Sequence, residues 1–172
     1  MRVYIPATLA MLVQLVADGR TLPVSGTAFA VTPALRENYA HGDDDELAEV
    51  ALGEAALASL RLLAADPADP DAAEVRPLPT RRAVLVADVD GVTLRPDLDL
   101  GVVRLAGPVG MGDVVAVYVD NAAAEPAVLA AVAVVDAADL GEQDAELTVG
   151  DAQDHDLAWY ATQELPFLLE LL

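Results

Sequence analysis

The apolar run that starts at Ala83 and extends to Val89 constrains the fold of this chain more than any other stretch. It lacks the apolar–polar alternation of a strand that has one side in solvent. It therefore predicts a central strand that is buried on both faces of a sheet. The rest of the chain has to supply the neighbouring strands and the helices that cover them.

Strand-like and helix-like stretches alternate along the remaining sequence. Apolar patterning predicts further strands at 3–5, 24–32, 102–106, 114–119 and 157–160. Helical spacing and end signals predict helices at 8–19, 43–66, 125–135 and 162–172, with a helical turn at 33–39. Asp43 and Glu46 have the spacing of a capping box at the start of the second helix. The acidic stretch 136–156 is predicted to be a loop, with a short edge strand at 147–149.

These elements favour the α+β class, with a mixed sheet and helices packed on it. The two ends of the chain, "VYIPATLAMLVQL" and "AWYATQELPFLLEL", each have a strand, a polar break and an amphipathic helix. This likeness suggests pseudo-duplicated βαβ units, and a ferredoxin-like arrangement is one form that they would take. We expect residues 1–172 to form a single compact domain, with an exposed Pro/Asp-rich loop at about 66–80.

Composition decides what the core is made of and which partners the surface repels. Apolar residues make up 55% of the chain and aromatic residues only 4%, so the core must consist mainly of Ala, Val and Leu. Twenty-nine carboxylates stand against nine basic residues, which gives a net charge of −20. No Arg or Lys follows Arg104. We expect no nucleic acid and no anionic membrane surface as a partner. The charge could attract a basic protein or cations, but a soluble, self-repelling surface is the favoured interpretation.

Missing residue types exclude several chemistries. The chain has no Cys, which rules out disulfides, thiolate catalysis and Cys-based metal sites. It has no Lys, which rules out a Walker-type phosphate loop and a Schiff-base enzyme. Ser25 and Ser59 are the only serines, and neither lies in a nucleophile elbow.

The first 30 residues imitate a signal peptide, because an apolar run follows Arg2 and small residues flank Phe29. Pro6, Thr8 and Gln14 interrupt that run, so we interpret it as a folded strand and helix and expect a cytoplasmic protein. No apolar run approaches the about 20 residues that span a bilayer.

The best candidate surface lies near the end of the chain, in "DHDLAWYATQE". His155 has the chemistry of a general base or a metal ligand. Its neighbours in sequence point in different directions, however, and a catalytic triad is assembled in space. We therefore assign no catalytic, cofactor-binding or metal-ligating residue. The candidate surface comprises His155, Trp159, Tyr160, Gln163 and Glu164.

Three stretches also resemble a known family. The opening "MRVYIPATLAML", the internal "AFAVTPALRE" and the closing "DHDLAWYATQELPFLL" are similar to a family of small uncharacterised actinobacterial proteins. The resemblance extends over nearly the whole chain. It implies a domain of unknown function and no catalytic residue that can be transferred to this sequence.

Two hypotheses of function follow. The first is a non-enzymatic soluble domain that acts by protein contact, as an adaptor or a homo-oligomer, without a cofactor. The alternative is a small-molecule or metal-dependent enzyme that uses carboxylates and His155. A deep pocket where His155, Tyr160 and carboxylates converge would favour the enzyme, and a flat apolar patch would favour protein contact. An acidic mimic of nucleic acid is a third hypothesis and requires carboxylates in regular rows.

Overall fold

A computed structural model describes residues 1–65 and 78–172, and its main element is a seven-stranded sheet. The strands of the described part are β1 (Arg2–Ala7), β2 (Arg20–Thr21), β3 (Thr27–Phe29), β4 (Ala83–Asp88), β5 (Val92–Leu94), β6 (Val102–Leu105), β7 (Val109–Gly110), β8 (Val114–Val119) and β9 (Ala158–Tyr160). The sheet has the order β5-β6-β3-β1-β4-β8-β9, while β2 and β7 form a separate pair.

Helices cover both faces of this sheet. They are α1 (Leu9–Asp18), α2 (Pro33–Asn38), α3 (Asp44–Ala65), α4 (Glu125–Val132), α5 (Val135–Asp139), α6 (Gln143–Gln153) and α7 (Leu165–Glu170). The predicted capping box of α3 is confirmed, because Glu46 N donates to Asp43 Oδ1 at 2.9 Å and Asp43 N donates to Glu46 Oε2 at 3.2 Å. Thr8 caps α1 through its hydroxyl, as its position suggested.

Strand β4 is the buried central strand that the apolar run predicts. Leu85 faces α1 and α7, in a core that also contains Ile5 and Leu12. Val84 and Val86 face the opposite side and pack with Ala51 and Ala55 of α3 among others. The sheet is therefore the middle layer between helices, and alternate residues of β4 belong to different cores.

The α+β class is confirmed, and every pairing in the seven-stranded sheet is antiparallel rather than mixed. Strands β3 and β4 both run antiparallel to β1, which lies between them, so they are parallel to each other and are connected through α2 and α3. After α1 the chain returns to β3, an antiparallel neighbour of β1. The ferredoxin-like arrangement is not confirmed.

The prediction of a loop at 136–156 is wrong, because most of this stretch belongs to α5 and α6. Ala145, Val149 and Ala152 of α6 are buried, and Val149 and Ala152 belong to a third core with residues of α3, α4 and α5. The spacing of these residues puts them on one side of a helix. Small apolar residues at helical spacing thus outweigh the acidic residues between them.

The two ends of the chain contribute to the main core. Val3 and Ile5 of β1 are fully buried, so the signal-like stretch forms a strand and a helix of the fold. Leu165 and Leu168 of α7 are buried, whereas Phe167 on the same helix is 68% exposed. Within residues 1–65 and 78–172, no helix is long and apolar enough to cross a membrane.

The expected Pro/Asp-rich loop at 66–80 falls mainly on residues 66–77, outside the described residues; residues 78–80 are in neither a helix nor a strand. That residues 1–172 form a single domain also stays a prediction.

Among the described residues, three ion pairs join arginines of the first 104 residues to acids of the last 68: Arg61–Asp139, Arg81–Glu125 and Arg82–Asp120.

Candidate functional site

A groove lies between α3 and the segment that connects α6 to β9, and we call it the α3–β9 groove. Its volume is about 560 Å³. One wall is α3, the floor includes Tyr118 of β8, and the other wall is the segment before β9. The residues that line it are Glu49, Val50, Leu52, Gly53, Glu54, Ala56, Leu57, Arg82, Tyr118, Gln153, His155, Asp156 and Leu157.

A buried ion pair fixes the second wall of the groove. Arg82 precedes β4 and Asp120 follows β8, and their side chains are 2% and 0% exposed. The Asp120 carboxylate accepts three hydrogen bonds from Arg82: from Nε at 2.9 Å, from Nη2 at 2.8 Å and from the backbone N at 2.8 Å. Arg82 Nη2 also donates to the backbone oxygen of His155 at 2.8 Å. The guanidinium therefore ties the segment before β9 to the start of β4 and the end of β8.

The structure separates the predicted surface residues into two groups. His155 is half-buried and lines the groove. Trp159 is 57% exposed and lies opposite Tyr118 in the β8–β9 register, so both side chains are on the α3 side of the sheet. Leu157 is two residues earlier and shares that side. The groove floor therefore continues towards Trp159.

Tyr160, Gln163 and Glu164 are not part of the groove. Tyr160 alternates with Trp159 along β9 and packs against the core on the α1 side of the sheet. Gln163 and Glu164 are exposed in a 3₁₀ turn, Thr162–Glu164. Glu164 Oε2 accepts from Ala161 N at 3.0 Å, a hydrogen bond that caps this turn.

Carboxylates dominate the charge of the groove. Glu49 and Glu54 lie on the α3 wall and Asp156 on the opposite wall. Burial raises the pKa of Glu54 above 4.5, and nearby Asp99 raises it further, while Arg61 opposes the shift. The one arginine among the described lining residues, Arg82, is already neutralised by Asp120. The groove therefore presents net negative charge to an occupant.

Ser59, one of the two serines, has a structural role. The Ser59 hydroxyl is fully buried, donates to Ala7 O at 2.7 Å and accepts from Ala83 N at 3.0 Å. These two hydrogen bonds therefore connect α3 to β1 and β4 of the sheet. Across residues 1–65 and 78–172, no three His, Asp or Glu side chains come together as a metal site.

Sequence reasoning missed the α3 wall and the floor of the groove. Glu49, Glu54 and Tyr118 lie far from His155 in sequence, and only the strand order brings them together. One feature of the sequence pointed to the α3 wall: Gly53 interrupts an Ala-rich helix at a position where Ala would be more stable by about 1 kcal/mol. A Cβ added at Gly53 would meet nothing within 4 Å, so packing inside the protein does not require this glycine.

Comparison with known proteins places the chain in a family. The model of DUF6912, a family of unknown function, matches residues 1–169. The chain belongs to this family. No curated protein and no solved structure matches the chain significantly. The predicted resemblance to an uncharacterised family is thereby confirmed, and the actinobacterial origin stays a prediction.

Proposed function

We propose that this protein acts by protein contact and binds an extended segment of a partner across the α3–β9 groove, with Trp159 as the anchor. The observation that carries the proposal is the exposure of Trp159 beside a groove of about 560 Å³. Trp is enriched among the residues that dominate binding energy in protein interfaces. His155 belongs to the same surface, at the far wall of the groove.

The position of β9 supports this mode of binding. Strand β9 is at one end of the described sheet and has β8 as its neighbour. A strand at the end of a sheet has backbone groups on its outer side that an extended segment can pair with. The partner segment would then run beside β9 while its side chains enter the groove.

Charge favours a different protein over a second copy as the partner. Each copy carries −20, and the groove itself is lined by carboxylates. Two copies that meet at this surface would bring like charges together, which opposes association. Of the two forms of protein contact, an adaptor role therefore has more support than a homo-oligomer. A cytoplasmic location stays part of this proposal.

The alternative is a small-molecule enzyme that uses His155 and carboxylates. One observation favours it, since His155, Asp156 and Tyr118 line the same groove. Tyr160, which was expected to converge with His155 and the carboxylates, packs on the other side of the sheet. A small molecule held inside the groove would contact α3 and Tyr118 but would not depend on Trp159, so the two functions respond differently to loss of the indole.

The proposal is tested by selecting displayed random peptides on the immobilised protein. We expect enriched peptides whose binding falls at least tenfold in Trp159→Ala, because a Trp anchor contributes about 2 kcal/mol or more. Phe167→Ala is the matched control, because Phe167 is an exposed aromatic residue on α7 and outside the groove. Peptides that bind Trp159→Ala as tightly as the unmodified protein would contradict the proposed function.

A further inference from the structure

The walls of the α3–β9 groove carry more negative charge than the residues around them neutralise. Glu49 lines the groove on α3 and Asp156 lines it from the segment before β9, while Glu54 borders both this groove and a smaller pocket that contains Asp99. Burial raises the pKa of Glu54, which means that its carboxylate lacks the full solvation it has in water. A cation placed between Glu49 and Asp156 would be attracted by both walls.

Aromatic residues distinguish between the cations that such a groove can accept. Tyr118 is in the floor, and Trp159 is next to it on the same side of β8 and β9. A guanidinium stacks on aromatic faces and pairs with a carboxylate through two parallel hydrogen bonds. An ammonium is a compact and strongly hydrated charge without this planar face. The combination of rings and carboxylates therefore favours arginine over lysine.

Gly53 leaves space for a long side chain to lie along α3. It lies near the middle of a 22-residue helix and lines the groove together with Glu49, one turn before it, and Ala56, one turn after it. Glycine costs about 1 kcal/mol relative to Ala at such a position. Because nothing lies within 4 Å of the position of its missing Cβ, the space above this turn of the helix is available to an occupant.

We infer that the groove recognises an arginine side chain of the partner segment, with its guanidinium between the carboxylates of the two walls and its alkyl chain over Gly53. This inference rests on the proposed function for the presence of a partner segment. The arginine preference belongs to the groove alone, so it can be measured without knowing the partner.

The direct test uses N-acetyl-arginine amide and its neutral counterpart N-acetyl-citrulline amide as probes, each titrated into the full chain and followed by NMR. We expect saturable shifts of the Tyr118, Gly53 and Trp159 signals with the arginine probe only. We also expect the pKa of Glu54 to fall when the arginine probe is bound, because an opposite charge favours the ionised form. Equal responses to both probes, or no response, would overturn the inference.

Variants locate the recognition within the groove. Glu49→Gln and Glu54→Gln should each weaken binding of the arginine probe by about two- to fivefold, as expected for exposed ion pairs. Glu170→Gln removes the same charge from α7, outside the groove, and should leave binding unchanged. If all three variants weaken binding equally, the probe senses only the overall charge and the inference fails.

Two glycine variants distinguish an effect on the binding space above α3 from an effect on helix stability. Gly53→Ala and Gly150→Ala both fill a helical position where a Cβ meets nothing within 4 Å, so both should raise the melting temperature. Only Gly53→Ala should weaken binding of the arginine probe. If both variants bind the arginine probe equally well, the alkyl chain of the arginine does not lie over Gly53.

The two proposals fail in different ways. Enriched peptides that depend on Trp159 but contain no arginine would leave the proposed function standing and overturn the arginine inference. A saturable arginine-specific response in a protein that enriches no peptide would support the groove specificity and contradict the protein-contact function.

Discussion

The buried pair of Arg82 and Asp120 gives the sharpest test of how this fold is held together. Asp120→Asn keeps the size of the side chain and removes its charge. In the unmodified protein the carboxylate accepts three hydrogen bonds from Arg82, and both side chains are almost inaccessible to water. The substitution leaves a buried guanidinium without a counter-charge, which costs about 3–5 kcal/mol.

The chain contains a matched control for this prediction. Arg2 and Asp88 form a two-bond pair of similar geometry, with Nε and Nη2 each 3.0 Å from a carboxylate oxygen. Their side chains are 56% and 51% exposed, so the two pairs differ mainly in burial. Asp88→Asn should therefore cost less than about 1 kcal/mol.

Urea unfolding followed by far-ultraviolet circular dichroism measures both variants. Circular dichroism is preferred to fluorescence because the single Trp is already exposed in the folded protein. We expect Asp120→Asn to unfold at a clearly lower urea concentration and Asp88→Asn to unfold at almost the same urea concentration as the unmodified protein. The dependence of the free energy of unfolding on urea concentration should be similar in all three proteins. Equal losses of stability in the two variants would refute the argument that burial decides the strength of these pairs.

A double variant separates the value of the pair from the cost of breaking it. Arg82→Met combined with Asp120→Leu removes both charges together and should be closer in stability to the unmodified protein than Asp120→Asn. The Arg82 backbone N still loses its carboxylate acceptor, which leaves a residual cost of about 1–3 kcal/mol. A double variant less stable than Asp120→Asn would show that the ion pair stabilises the fold outright.

Three further outcomes are expected. Ser59→Ala should lower the free energy of unfolding by about 1–3 kcal/mol, because Ala7 O and Ala83 N lose their buried partner; chemical denaturation measures this. Glu54→Gln should be slightly more stable than the unmodified protein at neutral pH, because the raised pKa of Glu54 means that folding disfavours its charged form. Melting curves should show this advantage disappearing as the pH falls through the raised pKa towards 4.5. Leu168→Ala should cost about 2–5 kcal/mol and Phe167→Ala less than about 1 kcal/mol, since only Leu168 is buried; thermal unfolding distinguishes them.

The central strand and the capped helices were predictable because their signals are local. An apolar run without alternation identifies β4 wherever it lies in the sheet, and Asp43 with Glu46 forms a capping box within a single helical turn. Strand β8 was also predicted with the bounds that the structure has, Val114–Val119. Each of these assignments needs only the residues of the element itself.

Helix α6 was missed because its buried side is made of small residues. Ala145, Val149 and Ala152 are its buried residues, and the remaining positions include several acids. A helix with so weak an apolar stripe is stabilised by what it packs against, in this case mainly α4 and α5. That contact depends on the tertiary arrangement, so hydropathy along the sequence favoured a loop.

The groove could not be predicted because it results from strand order and helix width. A helix is about 10–12 Å across, whereas neighbouring strands are about 4.8 Å apart, so one helix covers two to three strands. Among the described helices, α3 packs mainly on β1, β3 and β4, so the same side of β8 and β9 is covered less than the centre of the sheet. Tyr118 and Trp159 lie on that side, and the segment held by Arg82 closes it opposite α3. A sequence change that moved β9 to another place in the sheet would abolish the groove. The residues of α3 that line the groove would be unchanged.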